Sequence, residues 1–178
     1  MTISLRTERL ELIAATREIF LADRNDRNEL GHLLHAEIPV AWPPPLMDEN
    51  VKREFIRMSE TGNPQFSVWY WVRDEPGTVR KLIGNGGILP SDIAPDTVVL
   101  GYSVLDGFRN RGYATEAVRH LIPIFFSLHG IRKVIATTYP ESASSLRVLE
   151  KNGFVRTGLA HAGTGAEEGT IGYILRKQ

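Results

Sequence analysis

The segment that most restricts the fold is Val99 to Ala117, VLGYSVLDGFRNRGYATEA. An apolar strand pattern (Thr97 to Val104) passes through a short Gly-containing loop, Asp106 to Gly112, into a helix with Ala114, Ala117, Val118, Leu121 and Phe125 on one face. The first turn of a helix has unpaired N–H groups and a partial positive charge, which together bind anions. Gly112 has no Cβ and Ala114 is small, so an anion can approach the backbone, while Arg109 and Arg111 add planar cationic donors. These features suit a diphosphate. No Gly-Lys-[Ser/Thr] follows, so this is not a P-loop, and the three-glycine spacing of a dinucleotide site is missing.

The flanking pattern sets the fold class. Arg9 to Ala14 alternates as a short strand, Thr16 caps a helix containing Ile19, Phe20 and Leu21, and a second helical piece runs from Asp26 to His35. Pro43, Pro44 and Pro45 force Pro39–Pro45 into an extended loop. Asp48 caps a helix with Val51, Phe55 and Met58 on one face. Phe66–Val72 and Lys81–Leu89, around the Glu75-Pro76-Gly77 turn, form an antiparallel hairpin, with Trp69 and Trp71 packing on one face. After Val104 the order becomes helix, strand (Lys133–Tyr139), helix (Ser142–Asn152), then closing strands Phe154–Leu159 and Thr170–Arg176, with Gly130 and Gly153 as helix stops. The expectation is an α/β domain: one mixed, mostly antiparallel sheet with helices on both faces.

Composition narrows the function. A length of 178 residues matches one domain, residues 1–178. Twenty-one Lys+Arg against 21 Asp+Glu argue against a bulk electrostatic hold on nucleic acid or an acidic membrane. The absence of Cys removes disulfides, thiolate zinc sites and acyl-enzyme thiols. No signal-peptide pattern opens the chain, and the most apolar run, Leu121–Leu128, is far short of the ~20 residues that cross a bilayer. A soluble, cytoplasmic protein is expected. His32 and His35 stand at i, i+3 with no third ligand spaced to help, so no metal is expected. The apolar Ile122–Leu128 run leaves monomer and homodimer both open.

Arg109-x-x-Gly112-x-Ala114 at this junction resembles the pyrophosphate loop of the GNAT superfamily of acyl-CoA-dependent N-acyltransferases. Further segments follow in that superfamily's order: Thr7 to Leu12, Trp42-Pro43-Pro44, Ile83 to Gly87, Gly101 to Val104, and Leu146 to Phe154. The first two are similar to the ribosomal-protein N-terminal acetyltransferase (Rim-type) branch. The resemblance implies a GNAT fold with a splayed acyl-CoA cleft. It also implies that Tyr102, Ser103, Val104 and Leu105 pair with the pantetheine arm, where a local bulge would free backbone groups. The pyrophosphate is expected on the amides of Asn110 to Thr115 (Asn110, Arg111, Gly112, Tyr113, Ala114, Thr115), beside Arg109. Ser142 stands where relatives place a cofactor-contacting Asn, although a helix cap is the better reading of this Ser. Leu149 occupies the position of the Tyr that protonates the departing thiolate in many relatives, and the branch points instead to Ser145 as the catalytic hydroxyl. The resemblance assigns Trp42 to the acceptor-side wall, and a hydrophobic plug over the core is the equal alternative.

The implied activity is transfer of an acetyl group from acetyl-CoA to a primary amine, on a peptide N-terminus or a small molecule, by direct attack in a ternary complex. No metal takes part. No general base stands out. Thr137 sits where some relatives carry Glu, and Glu116, His161, Glu167 and Glu168 have no spacing argument. At pH 7 an α-amino group is about 15% neutral and a lysine below about 0.1%, which leans toward low-pKa amines. Two alternatives stand beside this reading: a non-catalytic acyl-CoA sensor, and an acyltransferase using succinyl-CoA or another acyl-CoA.

Overall fold

The strand Ser67–Arg73 shows how the sheet is covered, because Trp69 and Trp71 turn to one face, Val68, Tyr70 and Val72 to the other, and all five are buried. A computed structural model of the chain describes residues 3–159 and 167–178. Its elements are β1 (Ser4–Arg6), β2 (Leu10–Ala14), α1 (Arg17–Asn25), α2 (Arg27–Leu34), α3 (Glu49–Glu60), β3 (Ser67–Arg73), β4 (Lys81–Pro90), β5 (Thr97–Val104), α4 (Tyr113–Ser127), β6 (Lys133–Thr138), α5 (Ala143–Lys151), β7 (Val155–Leu159) and β8 (Ile171–Arg176). One eight-stranded sheet has the order β1-β2-β3-β4-β5-β6-β8-β7. Among the strand pairs of the described residues only β5–β6 is parallel, with α4 as its crossover.

Two cores result. Trp69, Trp71 and Leu100 pack under α4 and α5 with Val118, Leu121, Phe125 and Leu149. Tyr70, Val72 and Leu82 pack on the opposite face with Ile19, Phe20, Leu30 and Leu34, and Phe55 of α3 packs against this second core. Burying each such Leu, Ile or Phe contributes about 1.5–3 kcal/mol. Caps set the helix starts: the side chains of Thr16, Asp26 and Asp48 accept first-turn amides of α1, α2 and α3. Among the described residues no helix is long and apolar enough to cross a membrane.

The proline-rich loop departs from the extended form expected of it. It turns twice, with Trp42 N–H donating to Pro39 O and Met47 N–H to Pro44 O, each at 2.9 Å. The Arg27 guanidinium replaces missing backbone donors there, reaching the carbonyls of Ile38, Pro39 and Trp42. The short strand β1 has no counterpart in the sequence reading. Its three residues pair with β2 at the sheet edge, and tertiary pairing rather than local pattern makes them a strand.

Candidate active site

The central strands part in the middle of the sheet. β5 and β6 pair only over Thr97–Val99 against Lys133–Ile135. Beyond that point β5 stays on β4 as far as Val104, while β6 stays on β8 as far as Thr138. Leu105 N–H donates to Ile83 O at 2.8 Å, so strand alternation turns the backbone groups of Leu100, Tyr102 and Val104 away from β4 and into the gap. The bulge expected at Tyr102–Leu105 is not there. The β4–β5 ladder is regular, and the register shift falls one strand over, at Trp71/Val72 opposite β4. Loss of the β6 partner, rather than a bulge, opens the Tyr102 groups to the gap, while the Val104 carbonyl there accepts from Arg109 Nε at 3.1 Å.

At the C-terminal end of β5 the chain makes a short 3-10 turn, Asp106–Phe108, then enters α4 through Gly112 at φ +82°. Asn110 also takes a positive φ, 59°. Among the described residues the amides of Tyr113, Ala114 and Thr115 donate to no protein acceptor; the first bonded amide of the helix is that of Glu116, to Gly112 O at 3.0 Å. The loop is braced from behind by Arg9, whose Nη1 donates to Arg111 O at 2.8 Å and whose guanidinium lies 4.5 Å over the Tyr113 ring. Arg9 is in turn fixed by Glu116, which accepts from Arg9 N and Nε (2.7 Å each) and from the Thr7 hydroxyl (2.6 Å).

These amides open into a cleft of about 290 Å³. Arg109, Arg147 and Lys151 line it and, among the described residues, no carboxylate does. Three cations, of which Arg109 is paired with Asp106 at 3.0 Å, and three open N–H groups around it suit it to an anion. A second chamber of about 470 Å³ lies on the other side of the splay. Leu46, Tyr102, Ser103, Ser142 and Ser145 line both, so the two meet there. Burial pushes the Tyr102 phenol up to about 12, which keeps it neutral, and its hydroxyl donates to Ser145 O at 3.3 Å.

Of the residues singled out in the sequence, the structure brings Tyr102, Ser103, Val104, Arg109, Asn110, Gly112, Tyr113, Ala114, Thr115, Ser142 and Ser145 around the cationic cleft. Ser142 begins α5, yet its side chain makes no cap hydrogen bond and lines both chambers, contrary to the capping role preferred for it. Three residues are placed elsewhere. Leu105 is 4% exposed, packs in the core under α1 and α2, and its N–H is taken by Ile83. Arg111 does not line the cleft; its contribution to the loop is a carbonyl held by Arg9. Trp42 is 4% exposed against Tyr70, with Nε1 donating to Asp23 Oδ1 at 2.8 Å, and lines neither chamber. Its neighbours Leu46 and Met47 form that wall instead.

Arg147 and Lys151 escaped sequence reading. The signal was available as helix phase, because Ser144, Arg147, Val148 and Lys151 share the face that starts at the serines. Among the base candidates, Glu116 is 4% exposed with both carboxylate oxygens bonded. Glu168 lines neither chamber, Glu167 lines the second one and accepts from the Tyr139 hydroxyl, and His161 lies outside the described residues. The His32 ring is solvated beside Glu29, and the described residues include no group of three or more His, Cys, Asp or Glu able to hold a metal.

A parted sheet with an anion-binding helix start at the parting is the arrangement of an acyl-carrier-dependent transferase. The model of the acetyltransferase (GNAT) domain family matches residues 19–155, and the chain belongs to that family. Two curated Bacillus subtilis proteins are similar over short stretches: the uncharacterized N-acetyltransferase YnaD, 34% identical over 62 residues, and the probable N-acetyltransferase YjcK, 34% over 67. Each match spans a little over a third of this chain (35% and 38%) and of the relative (36% and 37%). Among solved structures, the ribosomal-protein-S5-alanine acetyltransferase from Vibrio fischeri superposes with TM-score 0.67 at 22% identity, covering 98% of this chain and 96% of that one. The RimL ribosomal L7/L12 α-N-protein acetyltransferase gives 0.64 at 15%, over 99% and 96%. The microcin C7 self-immunity acetyltransferase MccE, solved with acetyl-CoA and AMP, gives 0.62 at 17%, over 96% and 94%.

Proposed function

We propose that residues 1–178 form one cytoplasmic acetyltransferase domain that moves the acetyl group of acetyl-CoA to a primary amine in a ternary complex. The observation that carries this reading is the open amide row Tyr113–Thr115 in a cleft walled by Arg109, Arg147 and Lys151, which continues through the strand splay into a second chamber. The coenzyme's diphosphate is assigned to those amides and its pantetheine arm to the open edge of β5 at Tyr102 and the Val104 N–H. The thioester then lies where both chambers share Ser103, Ser142 and Ser145. The similar structures named as a ribosomal-protein-S5-alanine and a ribosomal L7/L12 α-N-protein acetyltransferase support an amine acceptor, for which the second chamber is the assigned place.

The amine attacks the thioester carbonyl, a C–N bond forms and the C–S bond breaks. The sulfur leaves with the electron pair and takes up the proton that nitrogen sheds, the role of steadying the thiolate being assigned to the Ser145 hydroxyl. Holding both reactants across one junction supplies proximity, and β5 amides facing the gap polarise the carbonyl. Calorimetric titration with acetyl-CoA and thiol release over a panel of amines test the reading. Saturable binding and acceptor-dependent release are expected; no binding at millimolar acetyl-CoA ends it, and binding without release on any amine favours a sensor.

A further inference from the structure

The second chamber has a chemical character that the acetyl-transfer reading does not by itself supply. Met47, Val51 and Phe55 wall it from α3 and the loop before it, and Val68, Leu89 and Leu100 from the sheet. Glu167, already hydrogen-bonded by Tyr139, is the only charged side chain that lines it among the described residues. Residues 160–166 include no Asp, Glu, Lys or Arg in their sequence.

Two features of the sheet inside this chamber lack a structural explanation. The first is Gly101. A Cβ built on Gly84, Gly86 or Gly87 would meet the Ser103 carbonyl, the Trp71 ring or the Ser67 carbonyl at 2.5, 2.6 and 1.9 Å, so packing requires those glycines. A Cβ on Gly101 meets nothing within 4 Å, and its φ is not in the left-handed region. Glycine weakens a strand, and here the missing side chain only leaves room in the chamber. The second is Asn85. It is 3% exposed and lines the chamber directly across the ladder from Ser103. Its Nδ2 reaches Met47 Sδ at 3.1 Å, a weak acceptor, and among the described residues no donor reaches its Oδ1.

From these we infer that, within the acetyl-transfer reading, the acceptor is a primary amine on an uncharged, apolar body, received by Asn85 Oδ1 beside Ser103 with its body over Gly101 against Met47, Val51 and Phe55. An apolar enclosure disfavours the ammonium and lowers the amine's pKa. A neutral amide oxygen accepts an N–H of the free amine and leaves its lone pair for the thioester carbon. A carboxylate in the same place would hold the ammonium, which cannot attack. Desolvation thus supplies much of what a dedicated base would, consistent with the lack of a free carboxylate at the junction of the chambers among the described residues. A second charge on the acceptor would have to be stripped of water with no partner among the described residues but Glu167, which Tyr139 already holds.

The test is thiol release from acetyl-CoA by the intact chain with matched acceptors. One arm holds small apolar amines such as phenylethylamine, a second holds peptide amides beginning with Leu or Phe, and a third holds spermidine, Nα-blocked lysine and Asp-first peptides. At least a tenfold higher kcat/KM for the first or second arm over the third is expected, and whichever of those two leads tells a free amine from a peptide N-terminus. Gly101→Val raises acceptor KM at least tenfold with acetyl-CoA affinity within twofold, which also reports that the variant is folded. Asn85→Asp moves the pH–rate profile to higher pH, because its carboxylate stabilises the ammonium. Turnover confined to charged acceptors, or an unchanged acceptor KM in folded Gly101→Val, overturns this inference and leaves acetyl transfer standing. Silence on all three arms with acetyl-CoA bound overturns both.

Discussion

The two chambers are built in different ways. The cationic cleft offers backbone amides and is drawn mainly from one stretch, Tyr102 to Thr115, completed by Leu46 and one face of α5. The apolar chamber is gathered from α3, the loop before it, strands β3 to β6 and α5. The first depends on glycine, small residues and chain order, all of which are local. The second depends on how separate elements are held, and Asp23 is central to that. Its buried carboxylate accepts from Trp42 Nε1 (2.8 Å) and the Tyr70 hydroxyl (2.5 Å) and lies 3.3 Å from Lys52 Nζ, tying α1, α3 and the proline-rich loop to β3.

The largest effect is therefore expected far from the chemistry. Asp23→Ala strands the Lys52 ammonium, 7% exposed, without its counter-ion; removing one partner of such a pair costs about 3–5 kcal/mol. Urea unfolding measures the loss, and adding Lys52→Met recovers part of it. In the folded fraction acceptor KM should rise while acetyl-CoA affinity holds. Equal damage to both would show that the chambers are one mechanical unit and break the comparison.

Next comes the backbone-built side. Gly112→Val puts a β-branched residue at φ +82°, with its Cβ 3.3 Å from the Arg9 guanidinium, directly before the open amides. Strain of about 1–3 kcal/mol is relieved only by turning the loop. A roughly hundredfold rise in acetyl-CoA Kd is expected by titration, on the scale of ~1.4 kcal/mol per decade. Affinity within threefold of the parent would mean that the amides are not the grip.

The same division governs what could be read in advance. The strand-loop-helix at Gly112, the two tryptophans on one face of β3 and the helix stops are local patterns, and the chain folds as those patterns indicate. Sequence alone does not decide between wall and plug for Trp42, because its burial depends on Asp23 and Tyr70, 19 and 28 positions away, and no periodicity links them. The family resemblance carries Leu105 into the site and the turn motif carries Arg111, yet strand alternation turns the Leu105 amide to β4 and Arg9 takes the Arg111 carbonyl. Arg9 and Glu116 sit 107 positions apart, so the brace behind the loop was equally hidden.

A smaller effect tests the junction where the chambers meet. An unfolded Tyr ionises near 10, whereas folded Tyr102 holds its proton to about 12 because it is buried. Below pH 10 both forms are protonated and its stabilisation is complete. Between pH 10 and about 12 the unfolded chain sheds the proton first, so stability falls by up to about 1.4 kcal/mol per pH unit. Tyr102→Phe removes that slope. Its unfolding free energy should parallel the parent's below pH 10 and decline less steeply above it; parallel curves throughout would mean that the phenol ionises freely in the folded protein.

The smallest effect separates cations that differ in position rather than chemistry. Arg147 and Arg111 are both exposed guanidiniums near α4, but Arg147 lines the anion cleft and reaches Asn110 Oδ1 at 3.3 Å, whereas Arg111 does not line it. Arg147→Glu should weaken acetyl-CoA about tenfold at low salt, near 1.4 kcal/mol for one lost charge-assisted contact. Arg111→Glu should change affinity by no more than about twofold, the residue of long-range attraction screened beyond ~10 Å at 0.1 M salt. Raising the salt should shrink the first difference more than the second. A larger loss in Arg111→Glu would mean that the bound loop swings that side chain inward, and the cleft would then owe its charge to the sequence motif rather than to the face of α5.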